Sequence, residues 1–119
     1  MKKLILHVWR SFQFARAGIV KTYKSEKMFR FYFVLTLLIL LLAVLLGMSI
    51  LRISFLLVCC VGILGFELMN TGVERAIDAM EVHNTVSEFS KDAAAGAVAM
   101  FAIGAIIAMV LVFLDFFFR

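Results

Sequence analysis

The chain has 119 residues, 65% of them hydrophobic and 17% charged, with no proline, a net charge of +4 and a mean hydropathy of +1.08. That balance leaves too little polar surface to cover a water-soluble domain of this size, so a soluble globular fold is excluded and an integral membrane protein is implied. Eight of the 12 Lys and Arg residues (Lys2, Lys3, Arg10, Arg16, Lys21, Lys24, Lys27 and Arg30) precede the first long apolar run, a placement that suits an anionic membrane surface and calls for no nucleic acid.

The opening MKKLILHVW imitates a secretory signal, but Arg10 and Arg16 interrupt its apolar run and no small-residue cleavage pattern follows, so it is expected to stay in the mature protein. Leu4, Ile5, Val8, Phe12, Ala15, Ile19 and Tyr23 recur at helical spacing, and Lys3, Arg10, Lys21 and Lys24 fall mostly opposite them. An amphipathic surface helix over about 2–25 is predicted, lying on anionic inner-leaflet lipid with Trp9 at the interface.

Two spans follow from length alone. Phe31 to Leu51 gives 21 uncharged residues and Ala93 to Leu114 gives 22, each enough to cross about 30 Å of hydrocarbon as a helix. Between them, Ile53 to Phe66 supplies only 14 uncharged residues, about 21 Å of helix. This span must therefore cross with Glu67 inside the hydrocarbon or at its edge. The predicted fold class is an all-α membrane protein, one domain over 1–119, with the N-terminal amphipathic surface helix and three transmembrane helices over about 30–50, 53–80 and 89–117.

The connection between the first two spans carries only Arg52, so the excess of positive charge puts the N-terminus in the cytoplasm and the C-terminus outside. Glu26, Glu74, Lys91 and Asp92 then gather at the cytoplasmic face. Cys59 and Cys60 are adjacent on an apolar helix and point in different directions, which suits buried structural thiols rather than a disulfide or a metal site. His7 and His83 are read as solvated imidazoles; neither has the partners of a nucleophile or a general base, and hydrolytic chemistry has no support. No glycine-rich phosphate loop is present.

The polar side chains of ELMNTGVERAIDAM, Glu67 to Met80, are the feature to explain. At about 100° per residue, Glu67, Asn70, Thr71, Glu74, Asp78 and Glu81 fall within roughly a 100° arc of one helix face. Ionised groups at membrane depth are costly and face a bundle interior, a cavity or a partner, so this face must meet something cationic: Mg²⁺, Lys91 or Arg75. Two carboxylates beside an amide suit Mg²⁺, which takes one or two carboxylates and completes its shell with phosphates and water. Glu26 is a carboxylate available from another helix, and Lys91 a point charge for phosphate oxygens. A structural network of interhelical ion pairs is the competing account of the same residues.

Together SEKMFR with Glu26, Phe29 and Arg30, the Glu67-x-x-Asn70-x-x-x-Glu74 spacing with Asp78, and Lys91 and Asp92 in SKDAAAGAV resemble the prokaryotic diacylglycerol kinases, small trimeric membrane lipid kinases that include the undecaprenol kinases. The resemblance implies transfer of the γ-phosphoryl of Mg·ATP to a lipid hydroxyl at the cytoplasmic interface, giving phosphatidic acid or undecaprenyl phosphate. It implies Glu67 as the catalytic base, Glu26 and Glu74 as ligands of Mg²⁺ and contacts of the nucleotide, Asn70, Lys91 and Asp92 as further nucleotide or active-site contacts, and a homotrimer. Ala94, Ala95 and Gly96 resemble the undecaprenol kinase branch, whereas Met28, Gly72 and Arg75 depart from common family choices. The different-class alternative is a non-enzymatic oligomer, structural or ion-conducting, with carboxylates lining a shared interior.

Overall fold

A computed structural model describes residues 1–119 as four helices: α1 (Lys2–Ser25), α2 (Lys27–Leu45), α3 (Ile50–Ala79) and α4 (Thr85–Phe118). The last three are each long and apolar enough to cross a membrane, as expected from the uncharged runs. α3 is the central member, packed against α4 on one side and α2 on the other, while α1 touches only α2 and α3. Of α1, only Ala17 and Thr22 are not exposed. Its apolar side chains Leu4, Ile5, Val8, Trp9 and Phe12 form one open face, the amphipathic pattern in three dimensions.

Local chemistry sets the breaks. Glu26 alone separates α1 from α2, in extended conformation (φ −109°, ψ 113°), with its N–H donating to the Thr22 carbonyl at 2.8 Å. Arg30, in the first turn of α2, reaches back with Nη1 to the carbonyls of Tyr23 and Lys24, both at 2.9 Å. A cation on the last carbonyls of a helix satisfies acceptors that have no intrahelical partner. The result is a fixed elbow with Glu26 at its apex.

The second helix ends at Leu45 rather than near residue 50, and the reason is Gly47. Its φ of +69° is left-handed, Met48 N–H donates to Ala43 O at 3.1 Å, and Gly47 N–H to Val44 O at 3.0 Å. This is the six-to-one and five-to-two pairing of a Schellman cap, with the apolar contact that goes with it, since Met48 and Ala43 are both buried. Ser49 then caps α3 by accepting from Arg52 N–H. At the other end α4 starts at Thr85, earlier than position 89, because Asn84 and Ser87 form a reciprocal capping box. Glu81 lies beyond the end of α3, with φ 53°, so it leaves the polar face on which helical spacing had placed it.

The core is small, as befits a chain whose apolar exterior faces lipid: Ala43, Met48, Leu56, Cys59, Cys60, Ile63, Ala105 and Met109. Both thiols are free and buried, with Cys60 Sγ 3.7 Å from Met109 Sδ. At the end of the bundle away from the elbow, Arg52 pairs with Asp115 at 2.6 Å and lies over the Phe116 ring at 5.7 Å. The two charges that bound the apolar runs of α3 and α4 thus clasp each other.

α3 and α4 approach closely at Gly62. A Cβ there would collide with the Phe101 ring, and Phe101 stacks on Phe66 with ring centroids 4.9 Å apart. Gly62→Ala should therefore lower stability by about 1–3 kcal/mol, the usual cost of overpacking. Phe101→Leu in the same chain should recover part of that loss; thermal unfolding of the two single variants and the double variant in detergent checks the coupling, and strict additivity would contradict it.

Candidate active site

The polar end of α3 faces the elbow and the start of α4. Thr71 is buried, and its hydroxyl donates to the Glu67 carbonyl at 3.0 Å, so it is satisfied within the helix. Glu67, Asn70 and Glu74 are half-buried, and none of their side chains forms a hydrogen bond or ion pair within the chain. Asn70 Oδ1 is the one buried side-chain oxygen or nitrogen left without a partner. Around this stripe stand two ion pairs: Arg75 Nη2 to Glu26 Oε1 at 2.6 Å, and Lys91 Nζ to Asp78 Oδ1 at 2.7 Å.

Both accounts of the polar face therefore meet in the structure. The cations Arg75 and Lys91 do pair across helices, but they engage Glu26 and Asp78 and leave Glu67, Asn70 and Glu74 unmatched. The carboxylates of Glu26 and Glu74 both lie close enough to Glu67 for their charges to act on it. Two half-buried carboxylates without a paired cation, beside an orphaned amide oxygen, have a net demand for a cation and a donor.

No group of three or more acidic, cysteine or histidine side chains converges as a self-sufficient metal site. What the donor set fits is a hard ion that brings most of its own shell: the free oxygens of Glu26 and Glu74 and the unsatisfied Asn70 Oδ1 suit Mg²⁺ delivered with phosphates, and would not suit a closed protein cage.

Directly along α3 from Glu67, toward the middle of the bundle, runs an apolar cleft of about 90 Å³ between α2 and α4. Ile63, one turn from Glu67, and Cys60 form its floor; Thr36 and Ile39 from α2 and Ile106 and Met109 from α4 form its walls. Glu67 thus stands one turn from an apolar cleft, at the edge of the charged cluster.

Residues 13–113 match the family model described as prokaryotic diacylglycerol kinase. The chain is also 33% identical over 107 residues to an undecaprenol kinase of Bacillus subtilis (strain 168), covering 89% of this chain and 87% of the relative. The chain belongs to the prokaryotic diacylglycerol kinase family. Membership makes it a membrane lipid kinase, with ATP the phosphoryl donor that a kinase implies, and it displaces the alternative of a non-enzymatic oligomer.

In this family member the structure brings Glu26, Glu67, Asn70, Glu74 and Lys91 to one end of the bundle. Asp92 also lies there, one residue beyond Lys91, but it is exposed and forms no hydrogen bond or ion pair. Two features escaped the sequence reading. The Arg52–Asp115 clasp was foreshadowed only by single charges ending two apolar runs on the same side of the membrane. The elbow function of Arg30 had no sequence signal, because it depends on the extended backbone at Glu26.

If Asn70 is kept for a ligand, its burial without a partner costs stability in the free protein. Asn70→Leu, branched at the same carbon, should leave the ligand-free protein as stable or more stable, by up to about 1–3 kcal/mol, the desolvation cost of an unmet acceptor. Lipid phosphorylation should fall sharply in the same variant. Thermal unfolding without nucleotide, read beside an activity assay, checks both; a clearly destabilised variant would show that Asn70 serves packing instead.

Proposed function

We propose that this kinase transfers the γ-phosphoryl of Mg·ATP to the hydroxyl of undecaprenol, with diacylglycerol the poorer acceptor, at the cytoplasmic face of a bacterial plasma membrane. The observation that carries this reading is the unpaired Glu67–Asn70–Glu74 stripe ending on an apolar cleft. Glu74 lies about 10 Å further along the helix than Glu67. Nucleotide is therefore held at the watery end and the lipid hydroxyl met at the apolar end.

In this reading Glu67 accepts the proton of the lipid hydroxyl as that oxygen attacks the γ-phosphorus. Glu26 and Glu74 hold Mg²⁺, which when bound supplies charge neutralisation at the phosphates. Lys91 exchanges Asp78 for phosphate oxygens; its pair with Asp78 is exposed and so weakly held. Asn70 and Asp92 contact the nucleotide or the transferred group. Phosphoryl transfer asks the protein mainly for positioning and electrostatics, which so small a constellation supplies.

Three further parts belong to the proposal. The basic N-terminal segment supports a cytoplasmic N-terminus, with α1 on anionic lipid. The half-buried acidic stripe has few partners within one subunit, which supports a homotrimer whose neighbouring copies enclose it. The similar undecaprenol kinase and the small residues from Ala93 to Ala97, which leave room for a slender isoprenoid chain, favour the polyprenol.

Purified protein in mixed micelles with Mg·ATP, undecaprenol and diacylglycerol in competition should give a higher kcat/KM for undecaprenol. A preference for diacylglycerol would overturn the substrate, and no product from either lipid, with the protein folded, would overturn the reading. Glu67→Gln should cut kcat by about 10²–10⁴-fold, the usual contribution of a general base, with nucleotide binding largely intact. Glu74→Gln should instead raise the KM for Mg·ATP. The reverse pattern would exchange the two roles.

A further inference from the structure

The bond between Arg75 and Glu26 serves none of the roles assigned so far, although it joins a proposed metal ligand to the helix that carries the proposed base. It is the single hydrogen bond or ion pair linking α3 to residues 1–26. The other restraints on Glu26 act on its backbone, through Thr22, Arg30 N–H and the Arg30 side chain on the preceding carbonyls. These fix where Glu26 leaves the chain but not where its carboxylate points.

Electrostatics alone would turn that carboxylate away. Facing α3 it meets the charge of Glu67, and with its side chain 31% exposed it has water to escape into. Arg75 reverses this preference from the position next to Glu74. Its Nη2 takes Oε1 at 2.6 Å, and Oε2 makes no bond within the chain. A guanidinium on one oxygen of a carboxylate anchors that oxygen and leaves the other open.

We infer that Arg75 is a positioning residue that holds the Glu26 carboxylate against α3 through Oε1 and leaves Oε2 free for the divalent cation of Mg·ATP. The inference rests on the proposed role of Glu26 as a ligand of that ion. Groups that orient a metal-binding carboxylate typically change metal affinity by about 10–100-fold. Because this pair is largely exposed, the lower end of that range applies. The guanidinium also repels the ion, so the sign of the effect on affinity discriminates a positioning role from simple competition for Glu26.

The test uses the full chain in detergent micelles, with Mn²⁺ as a paramagnetic probe of binding and an ATP analogue that cannot transfer its γ-phosphoryl. Arg75→Gln should weaken Mn²⁺ binding by about tenfold and raise the KM for Mg·ATP by a similar factor, with kcat at saturation and the KM for lipid little changed. Arg75→Lys, which keeps the charge, should recover part of both. Arg75 is 61% exposed, and helical circular dichroism checks that the variants fold. Mn²⁺ binding in Arg75→Gln that equals or exceeds wild type, or an Arg75→Lys protein as impaired as Arg75→Gln, overturns the inference while leaving the kinase reading intact. A wild-type protein that binds no Mn²⁺ with the nucleotide analogue overturns the metal-ligand role of Glu26 and this inference together.

Discussion

A helix of 30 residues is about 45 Å long, and the hydrocarbon it crosses is about 30 Å thick. That excess in α3 organises the rest of the molecule. Counted from Ile50, Glu67 lies about 26 Å along the axis, at the edge of the apolar layer, and the turns that follow project into the headgroups and water. A carboxylate in mid-bilayer would be costly enough to be excluded or neutralised. At the edge it can be half-desolvated and still reach water.

Within the hydrocarbon the helices gain little from the hydrophobic effect, because lipid tails are as apolar as their own side chains. Close packing holds them there: the contact of Phe101 over Gly62, the Cys60–Met109 sulfur pair and the buried Ala105 of α4. Where the helices leave the hydrocarbon, packing ends and polar pairs take over. Arg52 and Asp115 close one end. At the other, Glu26–Arg75 and Asp78–Lys91 tie the elbow and α4 to the same two turns of α3. The candidate site lies between these last two pairs, so its geometry is set by exposed bonds, each individually weak.

Such weak restraint suits a site that must open to a charged nucleotide. The stripe of Glu67, Asn70 and Glu74 is unfavourable in the free protein, with mutual repulsion of its carboxylates and an unmet amide oxygen. Stability withheld in the free state in this way is the ordinary signature of a binding site.

The membrane class, the three spans and the polar face of the second span follow from the sequence alone, because hydrocarbon imposes one rule that composition obeys: charges stay out for about twenty residues at a time. Spacing likewise put Glu67, Asn70 and Glu74 on one face, since helical angle depends only on residue number. Tertiary structure decided the rest. The pairing of Arg75 with Glu26 rather than with Asp78 three residues along its own helix depends on where the elbow sits, and the elbow depends on one extended residue and the reach of Arg30. The left-handed turns at Gly47 and Glu81 moved helix ends that hydropathy alone cannot locate, because apolar side chains continue past the place where backbone geometry stops the helix. The cleft between α2 and α4 is a property of three helices at once, and no single stretch of chain encodes it.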